Sequence, residues 1–292
     1  MMGGGCVSGN DFLRTALLTG LAQEQEIGIN PVKLGVVAAS DGHTSTPGSV
    51  KETQWRGYVT GETELADRLK PGTLPSGILG NPGGLAGVWA EENSRDAIFD
   101  AMQRREVFGT SGPRIVPRFF GGWAFEPGSC EMIDMVSDAY NRGVPMGSDL
   151  PARPDGASRP SFIVSALKDP AADATPLQQL QVIKGWVSAA GIPHFEVHSV
   201  AGDRDNGAGV NTADGSRYGE GNASLCAVFR DEDFDPAQPA YYYLRVVENP
   251  SPRWSLLDCL KYDKPDRPEV CEDSSRHIIQ EMAWTSPIWY SP

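Results

Sequence analysis

An α/β unit over residues 1–120, followed by an antiparallel, sandwich-like β-rich region over residues 121–292, is the fold that this sequence predicts. Three observations carry it. A helical pattern, a short apolar run and a polar loop follow one another between Asp11 and Thr46, the order found in α/β barrels. A second helix, signed at both ends, follows at Ser94 to Arg105. Beyond Gly121, proline, glycine and aspartate punctuate short β-prone runs, which suits an antiparallel sandwich and not further βα repeats.

Met1 to Asn10 is glycine-rich and reads as a frayed start, or as the scar of a cut in a longer chain. From Asp11 to Glu26, Phe12, Leu13, Ala16, Leu17 and Leu21 recur at helical spacing, with Asn10 or Asp11 as cap. Leu34 to Ala39 is a buried-strand run, and Asp41 to Thr46 is its terminal loop. Thr46 to Gly84, rich in proline and glycine, predicts a long irregular excursion with a brief helix around Glu62 to Leu69, the kind of loop that serves as a lid or insertion. Leu85 to Ala90 returns to strand character. In the next helix Ser94 caps, Asp96 sits in the first turn, Ile98, Phe99 and Met102 form an apolar stripe, and Arg104 and Arg105 meet the negative end of the dipole. Val107 to Phe120 is extended, with a soft domain boundary near Phe120. The later β-prone runs are Phe162 to Ala166, Leu180 to Trp186, Phe195 to Val200, Ala223 to Phe229 and Ala240 to Val247.

A chain of 292 residues with 40% hydrophobic content builds a proper core, and its formal net charge of -13 argues against nucleic acid or an anionic membrane as partner. No apolar run approaches a membrane span, and the N-terminus lacks the basic and apolar regions of a signal peptide. Cys6, Cys130, Cys226, Cys259 and Cys271 include no CxxC pair, so a structural zinc site made from them is not expected. Cys259 and Cys271 flank a polar loop, either as a disulfide suited to an oxidising compartment or as two free thiols.

The candidate chemistry begins with Asp41-Gly42-His43. A carboxylate and an imidazole one residue apart on an extended backbone point the same way and suit Zn, Mn or Fe as a shared divalent ion. The plainer alternative is a turn cap beside an ordinary loop histidine. Glu91 and Glu92 close another apolar run, as a further ligand or general base, or as acids favoured by a helix N-terminus. Thr110-Ser111-Gly112 lacks the GxSxG elbow and any base assigned by position, so it reads as a tight turn. His194 and His198 share a face without forming HExxH, and read as decoration on an exposed strand; His277 carries no constellation. Tyr241-Tyr242-Tyr243, Trp254, Trp284, Trp289 and Tyr290 are read as packing, with stacking on a sugar or aryl ligand as the alternative.

The segments GLAGVWAEENSRDAIFDAMQRREVFGTSGPRI (Gly84 to Ile115), RFFGGWAF, GVPMGSDL, LQQLQVIKGW, AYYYLRVVENPSPRW and QEMAWTSPIWYSP closely resemble the uncharacterised family DUF3604. That family in turn resembles the PHP (polymerase and histidinol phosphatase) superfamily of metal-dependent hydrolases. The resemblance implies a distorted barrel binding divalent ions at its C-terminal mouth, with Asp41 and His43 matching a late Asp-x-His ligand motif. It implies that the turn Thr110 to Pro113 helps close that barrel. It also implies an earlier Asp-x-His-x-His-Thr motif that this sequence lacks, so the chain resembles the C-terminal half of a family member. Export to the periplasm or beyond is a further implication.

The leading expectation is a metal-dependent hydrolase of phosphoesters or other activated esters, or a truncated remnant of one, acting on a small-molecule ester. Asp41 and His43 are its ligands, and Glu91 and Glu92 its catalytic candidates, as a further ligand or general base. A second expectation is a non-catalytic scaffold that forms a homodimer through unpaired barrel strands. A third is a metal-independent pocket that hydrolyses esters promiscuously.

Overall fold

In the nine-residue run AYYYLRVVE, eight residues are buried, because this strand lies in the middle of a sheet that is covered on both faces. The computed structural model describes residue 8 and residues 12–72, 76–156 and 159–292. Its helices are α1 (Leu13–Ile27), α2 (Leu65–Arg68), α3 (Arg95–Gln103), α4 (Met135–Arg142) and α5 (Trp254–Cys259). The first strands are β1 (Leu85–Val88), β2 (Val107–Thr110), β3 (Val116–Gly122), β4 (Gly143–Pro145), β5 (Ser161–Leu167), β6 (Leu177–Val187) and β7 (Pro193–Gly202). A small hairpin, β8 (Gly209–Asn211) and β9 (Ser216–Tyr218), precedes β10 (Ser224–Arg230) and the buried run β11 (Ala240–Glu248). The chain ends with β12 (Ser251–Pro252), β13 (Ile278–Ile279), β14 (Met282–Thr285) and β15 (Ile288–Tyr290).

Two sheets dominate. One is seven-stranded in the order β1-β2-β14-β11-β6-β7, with β15 also on β11; the other runs β10-β5-β3-β4. All their ladders are antiparallel. Period-two alternation decides what each face meets. Leu180, Val182, Tyr242, Leu244 and Val246 of the large sheet meet Phe119, Phe162, Val164 and Ala166 of the small one in a single core. The opposite face, through Ile183, Val187, Tyr241 and Tyr243, takes Leu17, Leu18 and Leu21 of α1. Beyond the small sheet, Phe120 and Ile163 pack on Phe125 and on Ala139 of α4. The molecule is thus layered helix, sheet, sheet, helix.

The mixed α/β character and the antiparallel, sandwich-like region hold, and the described residues form no closed barrel. The buried strand expected over Leu34 to Ala39 is corrected. That segment is extended but joins no ladder, and Leu34 and Val37 are 61% and 55% exposed. Its anchors are single hydrogen bonds, Val36 N to Ser286 Oγ (2.8 Å) and Gly84 N to Ala39 O (2.9 Å), which do not repeat as a strand's would. Helix α3 forms with Ser94 Oγ accepting from Ala97 N (3.3 Å), as the cap rule requires. Two of the three residues of its expected apolar stripe, Phe99 and Met102, face solvent, and Ile98 is half-buried. The expected cap residues of α1, Asn10 and Asp11, lie outside the described residues, and Phe12 stands at the N-cap. The excursion from Thr46 to Gly84 is docked: Trp55, Tyr58, Leu69 and Ile78 pack on Trp254 of α5 and on Cys259 and Cys271.

Cys259 and Cys271 are bridged, and a second disulfide joins Cys130 to Cys226 across 96 residues. Between the sheets lies one ion pair. Lys184 Nζ meets Asp231 at 2.6 and 2.9 Å and the Asp233 carbonyl at 3.0 Å, while Tyr242 donates to the same carboxylate at 2.6 Å. Both charged groups are almost wholly buried, so each depends on the other for solvation.

Two stability outcomes follow from these contacts. Asp231→Ala leaves a buried ammonium uncompensated and should cost about 3–5 kcal/mol in urea denaturation at pH 7; a loss under about 1 kcal/mol, the scale of a surface pair, refutes that account. Replacing Cys130 and Cys226 together by Ser should cost about 2–5 kcal/mol, more than the same change at Cys259 and Cys271, whose loop is shorter. Equal midpoints for the two double variants would contradict the loop-length argument.

Candidate functional site

Asp41 and His43 are brought together by the loop that ends the extended segment. Asp41 holds φ at 51°, a left-handed backbone that aspartate tolerates better than most residues. His43 Nδ1 lies 2.9 Å from the Asp41 carbonyl oxygen, which can only accept, so Nδ1 is the donor in that contact. Tyr58 fastens both residues. Its hydroxyl donates to Asp41 Oδ2 (3.0 Å), its carbonyl accepts His43 N (2.8 Å), and its ring lies 4.7 Å from the imidazole. Desolvation, then the bond to Asp41 and that carboxylate's charge, pushes the Tyr58 phenol above its ordinary pKa.

The loop sits where it does because glycines beneath it leave room. A β-carbon on Gly83 would stand 2.4 Å from Ser40 Cα, and one on Gly109 would stand 2.8 Å from Ala38 N. Backbone therefore rests on backbone from Ala38 to Ser40. This fixes the direction in which the next residues leave.

The other residues expected to share this chemistry do not gather there. Glu91 and Glu92 are both exposed in the turn before α3. Glu91 opens onto a separate cavity of about 810 Å³ with Arg104, Arg105, Arg118 and Tyr140. Among the described residues, no group of three or more His, Cys, Asp or Glu side chains is placed to hold a metal ion. His194 stacks on Trp186 at 5.3 Å and His198 lies 4.9 Å from the Phe229 ring, as strand-face residues do.

A second cavity, of about 470 Å³, lies where the docked excursion meets the ends of β11 and β14. Its acids are Asp169 and Asp173 together with three glutamates from distant segments: Glu52, Glu248 at the end of β11, and Glu281 just before β14. Backbone hydrogen bonding places two of them side by side, since Glu248 N donates to Glu281 O at 2.9 Å. Burial first, and then the negative charge of Glu281, raises the carboxyls of Glu52 and Glu248 to about 8. Burial raises Glu281 to about 7, against the opposing hydrogen bond from Ser111. Glu52 also accepts Trp254 N at 2.5 Å. Asp169, on the same wall, is held below its usual range despite burial, because it accepts from Ala171 N (2.8 Å) and Arg114 N (2.7 Å).

Ser111 thus has an acid beside it after all, yet its hydroxyl also accepts Met282 N (2.8 Å) and does not line the cavity. In this position it orients Glu281. Sequence reading missed the three glutamates because the gaps between them, from 52 to 248 to 281, carry no spacing rule. One signal was present: Glu248 directly follows Ala240 to Val247, a run whose only charged residue is Arg245, so an acid at its end stands out.

A family model described as "Protein of unknown function (DUF3604)" matches residues 4–292. No curated protein and no solved structure matches.

The raised carboxyls set a pH dependence. In the unfolded chain these glutamates titrate near the ordinary value of 4.5, whereas folded they hold protons to about 7 or 8. The folded state binds more protons across that interval, so its stability falls as pH rises from about 4.5 to 8. Glu248→Gln should flatten this slope and raise the denaturation midpoint at pH 8.5 relative to wild type. A variant less stable than wild type at pH 8.5 would show that Glu248 is held there as a paired anion.

Proposed function

We propose that this chain, which belongs to the DUF3604 family, supplies Asp41 and His43 as a ligand pair for a divalent ion in a PHP-like, barrel-derived hydrolase of phosphoesters or other activated esters. One observation carries the reading: His43 Nδ1 is engaged by the Asp41 carbonyl, which leaves Nε2 as the nitrogen for a ligand, while Tyr58 steadies the Asp41 carboxylate. Metal-bound histidines have this arrangement, the second nitrogen tied to an acceptor.

Two donors are fewer than the four or more that Zn, Mn or Fe takes. The described residues therefore furnish part of a coordination sphere, and no catalytic step is routed through the ion here. Glu91 and Glu92, exposed in the turn before α3, stay the candidates for a further ligand or base. When bound, the ion supplies a hydroxide by lowering the pKa of its water from about 16 towards 7. Tyr58 holds the Asp41 carboxylate in place, and the docked excursion holds Tyr58.

Two disulfides suit an oxidising compartment, in keeping with a periplasmic or secreted location. No helix among the described residues is long and apolar enough to cross a membrane. Exposed apolar side chains support a second reading, an assembly module that dimerises without catalysis. Ile27, Ile29, Leu34 and Val37 are 63%, 66%, 61% and 55% exposed along one stretch of chain.

One experiment separates the two. Wild type and His43→Ala are purified with added Zn or Mn, and metal content, sedimentation and p-nitrophenyl phosphate hydrolysis are measured on each. The hydrolase reading expects stoichiometric metal in wild type and at least a tenfold loss of activity in the variant. Equal activity with no stoichiometric metal in either removes it, and a dimer under those conditions favours the assembly module.

A further inference from the structure

The cavity at the ends of β11 and β14 shares no lining residue with the Asp41 and His43 loop. Its acids alone would not make it a site. What distinguishes it is Glu248, which is 1% exposed, lines the cavity, and has no hydrogen-bond partner for Oε1 among the described residues. A buried carboxylate oxygen left without a donor costs roughly 1–3 kcal/mol, more if charged, so such an atom is retained where something else supplies the donor.

The chemistry of that donor can be read from the walls. The cavity is far larger than a bare ion, and its carboxylates are not placed to hold a metal. Val50, Pro113, Ala174, Pro252 and Leu257 give it an apolar side against which methylenes can lie. Glu248 and Glu281, joined through their backbones, line it together with Glu52, Asp169 and Asp173, so its polar side is rich in acceptors. Several acceptors at one end of an aliphatic slot match a group that carries several N–H donors and a positive charge. Lys51, Arg114 and Arg217 at the exposed lining disfavour a second positive charge on the same ligand.

We propose that this cavity binds a small organic cation, with one ammonium or guanidinium head seated on Glu248 and Glu281 and a short aliphatic stem against Val50 and Leu257. The site is independent of the metal-ligand reading of Asp41 and His43, and it can stand or fall without it.

Pentylamine and pentanoate, which share a stem and differ in the sign of the head, are titrated into the intact chain at pH 8.0 and followed by ligand-observed NMR. Pentylamine is still protonated there, since aliphatic amines titrate near about 10.4. The expected result is saturable, equimolar binding of pentylamine and none of pentanoate. Glu248→Gln should weaken pentylamine at least tenfold, about 1.4 kcal/mol, and Glu281→Gln should weaken it as well. The second variant guards against misfolding of the first, and each is checked for an unchanged or raised melting temperature. Pentanoate binding as tightly as pentylamine, no saturable binding in wild type, or undiminished affinity in both folded variants overturns the proposal.

Discussion

Strand β11 is closed in on every side, and the rest of the molecule follows from that constraint. It pairs with β6 along its whole length and with β14 and β15 on the other edge. One of its faces packs on the small sheet and the other on α1. A strand so enclosed leaves only Arg245 partly open to water, and its other polar side chains are cut off from it. Each polar atom must find a protein partner or be left wanting one. Tyr242 resolves this by donating to Asp231, which in turn holds Lys184. Glu248, at the far end, does not resolve it: its Oε1 has no partner among the described residues, and burial raises its carboxyl. The same strand thus sets both the stability of the sandwich and the character of its cavity.

Much of the architecture was legible in the sequence, and the reason is local. Phe162 to Ala166, Leu180 to Trp186 and Ala240 to Val247 became strands because their two-residue alternation matched two different partners, one per face. Ser94 to Arg105 became a helix because its cap is a contact three residues long. Leu34 to Ala39 misled for the complementary reason. Its composition is that of a buried strand, but a strand needs a neighbour with repeating donors, and this segment meets only isolated ones. Composition records what a segment tolerates; pairing depends on what lies alongside.

The sites divide in the same way. Asp41 and His43 could be singled out because the two residues are adjacent in sequence and stay adjacent in space. Glu52, Glu248 and Glu281 could not, since docking of the excursion onto α5 and pairing of β11 with β14 bring them together. The Cys130 to Cys226 bridge was hidden likewise, by 96 residues of separation, while the 12-residue spacing of Cys259 and Cys271 kept that pairing in view.

The glycines under the loop impose an asymmetry on how this region can change. Since Ala38 and Ser40 rest directly on Gly109 and Gly83, the loop's position is set by side chains that are missing, not by side chains that grip it. Leu34 and Val37 face solvent, so those two side chains can vary without disturbing the packing beneath. The floor beneath cannot, because even a methyl group there would lift the loop bodily and carry the Asp41 carboxylate away from the Tyr58 hydroxyl. Variation on one side of a contact a few ångströms deep is silent, and on the other it is disruptive.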